Sequence, residues 1–256
     1  MSKLLFFLSL SFVFFSCESE DKKSDFDSIQ NYDVYGSGFW NTAFVDAAGA
    51  LGGAGSVASV AGWFGWTPAA PIAAGAVALG AVIGGEGASI AYANSYSVSL
   101  NDDYSFREDM IVSENYVDKV GFIHNQVVLD YIEKYTIYNE EVYFNFLEKN
   151  KDQYGFTEQN LISLNQIKED IRSLKEDSHA DVIAYTLKKL PKEIDQQKYI
   201  EFFKELGSLS VKEKAIDCII GFESKELTKK EYTDEAKVLL GVYFSTLRYS
   251  LWVWNE

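Results

Sequence analysis

The chain has 256 residues, 38 of them acidic against 23 basic, and a formal net charge of −15 at pH 7. Such a surface repels nucleic-acid phosphates and anionic lipid headgroups alike, so nucleic-acid binding is excluded and any membrane contact has to be hydrophobic. The length suits one or two domains, and an aromatic content of 15% allows a substantial core that two cysteines can do little to staple.

Met1-Ser2-Lys3 gives a short basic start, and Leu4 to Phe15 is an apolar or hydroxylic run. At about 12 residues it has the length of a signal h-region and is too short to span a bilayer. Ser16-Cys17 follows, and the stretch resembles the lipobox of bacterial lipoproteins, with Phe14 standing where that family has leucine. The resemblance implies that residues 1–16 are a signal peptide, that cleavage falls before Cys17, and that lipid on Cys17 holds the chain at a membrane. Cleavage removes one basic residue, Lys3, and no acidic one, so the net charge becomes −16.

Residues 17–40 then comprise the lipidated cysteine and an acidic tether. Glu18-Ser19-Glu20-Asp21-Lys22-Lys23-Ser24-Asp25 has nothing apolar to bury and is expected to stay flexible. An acidic patch directly after the cysteine also resembles the surface-export signal of Bacteroidota lipoproteins. That resemblance implies a cell-envelope location, lipid-anchored in the outer membrane and surface-exposed. With Cys17 lipidated, Cys218 is the only thiol left and no intramolecular disulfide can form. In Ala215-Ile216-Asp217-Cys218-Ile219-Ile220 it reads as a core cysteine on a helical face.

Residues 41–97 are rich in glycine and alanine, and the 39 residues from Ala47 to Gly85 carry no charge. Trp63-Phe64-Gly65-Trp66-Thr67-Pro68-Ala69-Ala70-Pro71 divides the run, because two prolines this close cannot continue a helix. A helical hairpin is expected, each arm about 20 residues long and so able to cross a hydrocarbon layer at about 1.5 Å per residue. Gly49 and Gly53 are four apart, and Ala76, Gly80, Gly84 and Ala88 repeat every fourth residue. That spacing lines small side chains along one helix face, so that two backbones can approach closely. The pattern resembles a glycine zipper, and the segment as a whole resembles small glycine-zipper bacteriocins. This implies a hairpin that self-associates in or inserts into membranes. The same composition also describes a hairpin buried at the centre of a soluble bundle. Glu86, costly in lipid unless near an interface, does not decide between them.

Residues 102–256 read as an amphipathic helical domain. Leu161, Leu164, Ile167, Ile171 and Leu174 form a stripe at helical spacing, with Thr157 as its cap. Ser178-His179-Ala180-Asp181, Ser210-Val211-Lys212-Glu213 and Thr228-Lys229-Lys230-Glu231 have capping-box spacing. After the last, Tyr232, Ala236, Leu239, Leu240, Tyr243 and Leu247 line one face, while Pro191 and Gly207 punctuate between helices. The fold class is therefore all-α: a bundle of five to seven helices with a Gly/Ala-rich helical hairpin near the N-terminus.

Catalytic signals are missing. Gly53-Ala54-Gly55-Ser56-Val57-Ala58 matches a dinucleotide fingerprint by letter, but no strand precedes it and no acid follows at the required distance. His124 and His179 are the only histidines, neither has a partner at metal-ligand spacing, and no nucleophile elbow is present. No enzyme activity, metal or cofactor is expected. In Gly121-Phe122-Ile123-His124-Asn125, the His124 and Asn125 side chains suit a helix start, or a structural bridge to the C-terminal helix. This G-x-x-H-N stretch, with Arg248-Tyr249-Ser250-Leu251-Trp252, resembles an uncharacterised group of secreted bacterial helical proteins that also carry a Gly/Ala-rich segment. The leading expectation is a membrane-active lipoprotein, an antibacterial pore-former by its bacteriocin-like segment. Its partners would be the membrane and other copies of itself. The alternative is a non-catalytic binding or structural lipoprotein whose hairpin stays in the core.

Overall fold

The computed structural model describes residues 38–61, 80–82, 84–85, 87–88, 99–100, 107–135, 139–154 and 179–255. The signal peptide, Cys17, the tether up to residue 37, the proline bend of the hairpin, Ala76, Glu86 and the 157–174 stripe lie outside them, while residues 38–40, expected in the tether, already belong to the first helix. The architecture is all-α. In chain order the helices are α1 (Gly38–Ala61), α2 (Val120–Lys134), α3 (Glu140–Lys149), α4 (Lys151–Tyr154), α5 (His179–Lys189), α6 (Gln196–Gly207), α7 (Lys212–Leu227) and α8 (Asp234–Val253). Those residues described between 80 and 88 are helical as well. One short antiparallel pair completes the fold: β1 (Ser99–Leu100) joins β2 (Trp254–Asn255) and ties the C-terminus to the segment after the hairpin.

α8 is the central element, packing against α1, α2 and α7. Its sequence has apolar or small residues on every face, and it is buried from Val238 through Leu251. A helix apolar all round has to be enclosed on all sides. Two glycines let neighbours reach its ladder and that of α2. A side chain on Gly121 would run into the Ser245 carbonyl, and one on Gly241 would run into Asn115 Oδ1. Asn115 uses the opening to donate from Nδ2 to the Gly241 carbonyl at 2.8 Å.

Helix boundaries depart from the sequence expectation at two caps. Ser210 does not start α7: Val211 is the N-cap residue and supplies no side-chain bond. Thr228 does not start α8 but ends α7, its hydroxyl donating to the Ser224 and Lys225 carbonyls. The N-cap of α8 is Thr233, whose Oγ1 accepts from Ala236 N at 3.1 Å. A threonine hydroxyl can accept from a backbone N–H at a helix start or donate to a carbonyl at a helix end, and at Thr228 it does the second.

Candidate functional site

Two buried arrangements stand out, both built around α8. The first is the contact between α1 and the 80–88 segment. A Cβ on Gly49 would lie 2.5 Å from the Gly84 carbonyl oxygen and 2.8 Å from Ala88 Cβ. On Gly53 it would lie 2.9 Å from Gly80 C and 3.2 Å from Gly84 Cα, with the Gly80 carbonyl oxygen closer still. Pairing Gly49 with residues 84 and 88, and Gly53 with 80 and 84, makes the two segments antiparallel and in backbone contact. The structure thus brings together Gly49, Gly53, Gly80, Gly84 and Ala88, in an intramolecular crossing. The opposite surfaces of α1 meet α8 and α5, and every residue from Thr42 to Ala54 is buried. Among the described residues, no helix is long and apolar enough to cross a membrane.

Asp46 brings a charge into this small-residue environment. Its Oδ2 accepts from Trp254 Nε1 at 2.7 Å, and its Oδ1 lies 3.4 Å from His124 Nε2. On the other side of the ring, His124 Nδ1 is 2.9 Å from Asn125 Oδ1, and Asn125 Nδ2 donates to the Tyr249 carbonyl at 2.7 Å. His124 and Asn125 sit one turn into α2, so they do not cap its start. They bridge it to α1 and to α8. Gly85 makes room for the ring: a Cβ there would lie 2.9 Å from His124 Cδ2. Burial alone would drive the second proton off His124. Asp46, helped by Asn125 and the Gly85 backbone, outweighs burial and holds its pKa above the ordinary histidine value.

The second arrangement centres on Arg248, fully buried in α8. Its Nε donates to Glu223 Oε2 at 2.7 Å and one terminal nitrogen to Glu223 Oε1 at 3.1 Å, while the guanidinium also reaches Asp118 and the Met110 carbonyl. Asn115 donates to Glu223 Oε1 at 2.7 Å, and its own Oδ1 accepts from Val117 N. Burial pushes the Glu223 carboxyl up to about 7, against the opposing pull of Arg248 and Asn115. A nearby buried acid behaves differently. Glu226 accepts from Lys198, Lys229 and Tyr232, and although burial opposes it, those donors hold its pKa below the ordinary glutamate value.

Asp46, His124, Asn125, Glu223 and Arg248 have no exposed surface, while Asp118 and Asn115 are slightly exposed. No group of His, Cys, Asp and Glu residues able to hold a metal ion occurs among the described residues. Cys218 is half buried and not a core residue. It lines a surface groove of about 460 Å³ with Phe202, Glu205, Asp217 and Phe222, where burial pushes the thiol up and away from thiolate chemistry.

The zipper spacing singled out the residues of the glycine crossing but left their partners open. Asp46, Trp254, Glu223, Asp118 and Asn115 belong to no local sequence motif. Their available signals are a lone acid inside an uncharged helix, and an arginine inside the apolar run of α8. No known protein family matches the chain, and neither does any curated protein or solved structure.

Proposed function

We propose that the chain is a non-catalytic binding or structural lipoprotein of the cell envelope, anchored through Cys17, whose Gly/Ala hairpin is the fixed post of its helical core. The observation that carries this reading is the use of the glycine positions. Gly49, Gly53 and Gly84 spend their close approach inside the molecule, and α1 leaves no free face from Thr42 to Ala54 for a second copy or for lipid. The one charge of that stretch, Asp46, is tied to His124 and Trp254. Small-residue interfaces gain by contact along two backbones, and a contact already made has nothing left to offer another helix. The exposed faces of α6 and α7, which carry Glu201, Glu205, Glu213, Lys214 and Lys225, are among the described surfaces open to a partner.

Dye release from phosphatidylethanolamine/phosphatidylglycerol vesicles tests the reading, using the mature chain with Cys17→Ser and following amide exchange in residues 42–54. No release is expected, and the amides of α1 should stay protected with vesicles present. Release accompanied by loss of that protection would overturn the proposal in favour of a pore-former whose hairpin leaves the core. A Gly80→Leu/Gly84→Leu chain that unfolds without ever gaining or losing leakage would agree with the fixed post.

A further inference from the structure

Hydrogen-bond polarity fixes the protons around His124 without reference to any titration. The Tyr249 carbonyl can only accept, so the Asn125 side chain must present its amide nitrogen there, and it does so at 2.7 Å. The Asn125 oxygen is thereby turned to His124 Nδ1, 2.9 Å away, and an oxygen requires an N–H opposite it. Nδ1 is therefore the protonated nitrogen. Nε2 then faces Asp46 Oδ1 at 3.4 Å in a site with no exposed surface. A neutral ring of this tautomer would set its lone pair against a carboxylate oxygen at 3.4 Å, too close for a third heavy atom to lie between them. The arrangement needs one further proton between the two atoms, on the imidazole or on the carboxyl.

The other groups around the ring do not supply it. From its own helix there is Asn125, from the 80–88 segment the Gly85 backbone, and from β2 the Trp254 indole, which is spent on Asp46 Oδ2. From α8 the side presented is the Tyr249 carbonyl, while the neighbouring Arg248 is committed to Glu223, Asp118 and Met110.

We propose that closing the helical core over α1 takes up one proton, held between Asp46 and His124, so that this contact is a pH-sensitive clasp which loosens on the alkaline side. The direction of the His124 shift agrees: a pKa raised in the folded chain gives stability that is complete below the unfolded value of about 6.5 and is lost as pH rises through the folded value.

Asp46→Asn isolates the effect. An asparagine can donate to the Nε2 lone pair and still accept from Trp254 Nε1, so the site closes without the extra proton. The folding equilibrium constant of the full mature chain and of Asp46→Asn is measured by urea unfolding from about pH 6.5 to about pH 8.5. Glu223 and Cys218, whose pKa values are also raised, give slopes of the same sign in both chains and cancel in the difference. One linked proton predicts that the parent constant falls more than that of the variant, by up to about tenfold per pH unit. Parallel profiles would overturn the clasp. Should Asp46→Asn fail to fold, the parent imidazole decides by nitrogen-resolved NMR. A ring protonated at Nδ1 with Nε2 also protonated or hydrogen-bonded is expected, and a ring whose Nε2 is a free lone pair, or one carrying its only proton on Nε2, would overturn the proposal.

Discussion

The two sides of α8 are packed by opposite means. On the side of α1 the core is made of glycine and alanine, with α1 and the 80–88 segment in backbone contact and the Asp46–His124 contact beside them. Toward α6 and α7 it is made of rings. Phe202 stacks on Phe222 with centroids 4.1 Å apart, Tyr199 meets Phe222 edge-on at 5.2 Å, and Phe244 joins both. Phe44 of α1 reaches across to Phe203 at 5.7 Å and links the halves. Aromatic side chains each bury roughly 150–250 Å² and can turn or shift to absorb a change. A glycine crossing buries little area per residue, and its contact atoms are main chain, which cannot move aside. The aromatic side supplies most of the hydrophobic driving force, while the glycine side is held by fit.

The largest expected effect lies where the aromatic half carries its own charges. Arg248→Ala leaves Glu223 and Asp118 buried without their cation, and removing one partner of a buried pair costs about 3–5 kcal/mol. Urea unfolding should show a loss of this size. A loss below about 1 kcal/mol would mean that Asn115 and protonation of Glu223 suffice to hold the site.

Next comes a single added carbon on the glycine side. Gly53→Ala puts a methyl into the Gly80 carbonyl, with Gly80 C at 2.9 Å and Gly84 Cα at 3.2 Å. Overpacking against atoms that cannot yield is expected to cost on the order of 3 kcal/mol, more than the roughly 1.5 kcal/mol of Phe222→Leu, where neighbouring rings can close up. Thermal unfolding of the two variants tests the contrast directly. Equal losses would show that the 80–88 segment shifts as readily as a ring turns, and the distinction between the halves would fall.

How much of this was legible follows from how far apart the partners lie. Helical class and the small-residue face repeat every three to four residues, so they can be read from a local window. What Gly49 and Gly53 meet is not local. The spacing says that some backbone comes close, and it fits another copy in a membrane as well as residues 80–88 of the same chain. The Arg248 cluster draws on Met110, Asn115, Asp118 and Glu223, with no pattern joining them along the sequence. Asp46 reads as the edge of an uncharged run. The isolation that makes it an edge also makes it a charge that the core must pair, and only the fold names His124 and Trp254. The misread caps are of another kind: Thr228 has the acid three residues on, at Glu231, whereas Thr233 caps α8 with Ala236 in that position and no box at all.

The smallest effect has the opposite sign and probes whether contact, and not glycine as such, defines the N-terminal half. Gly55 lies on α1 two residues after Gly53, yet a Cβ there would meet nothing within 4 Å. The same holds for Gly221 in α7, on the aromatic side. At such positions glycine only adds freedom to the unfolded chain, and replacing it with alanine inside a helix is worth up to about 1 kcal/mol. Gly55→Ala and Gly221→Ala should therefore raise the unfolding temperature slightly and by similar amounts, although they sit in differently packed halves. Should Gly55→Ala instead destabilise as Gly53→Ala does, the intolerance would belong to the whole glycine-rich stretch. The crossing would then not be confined to the face that carries Gly49 and Gly53.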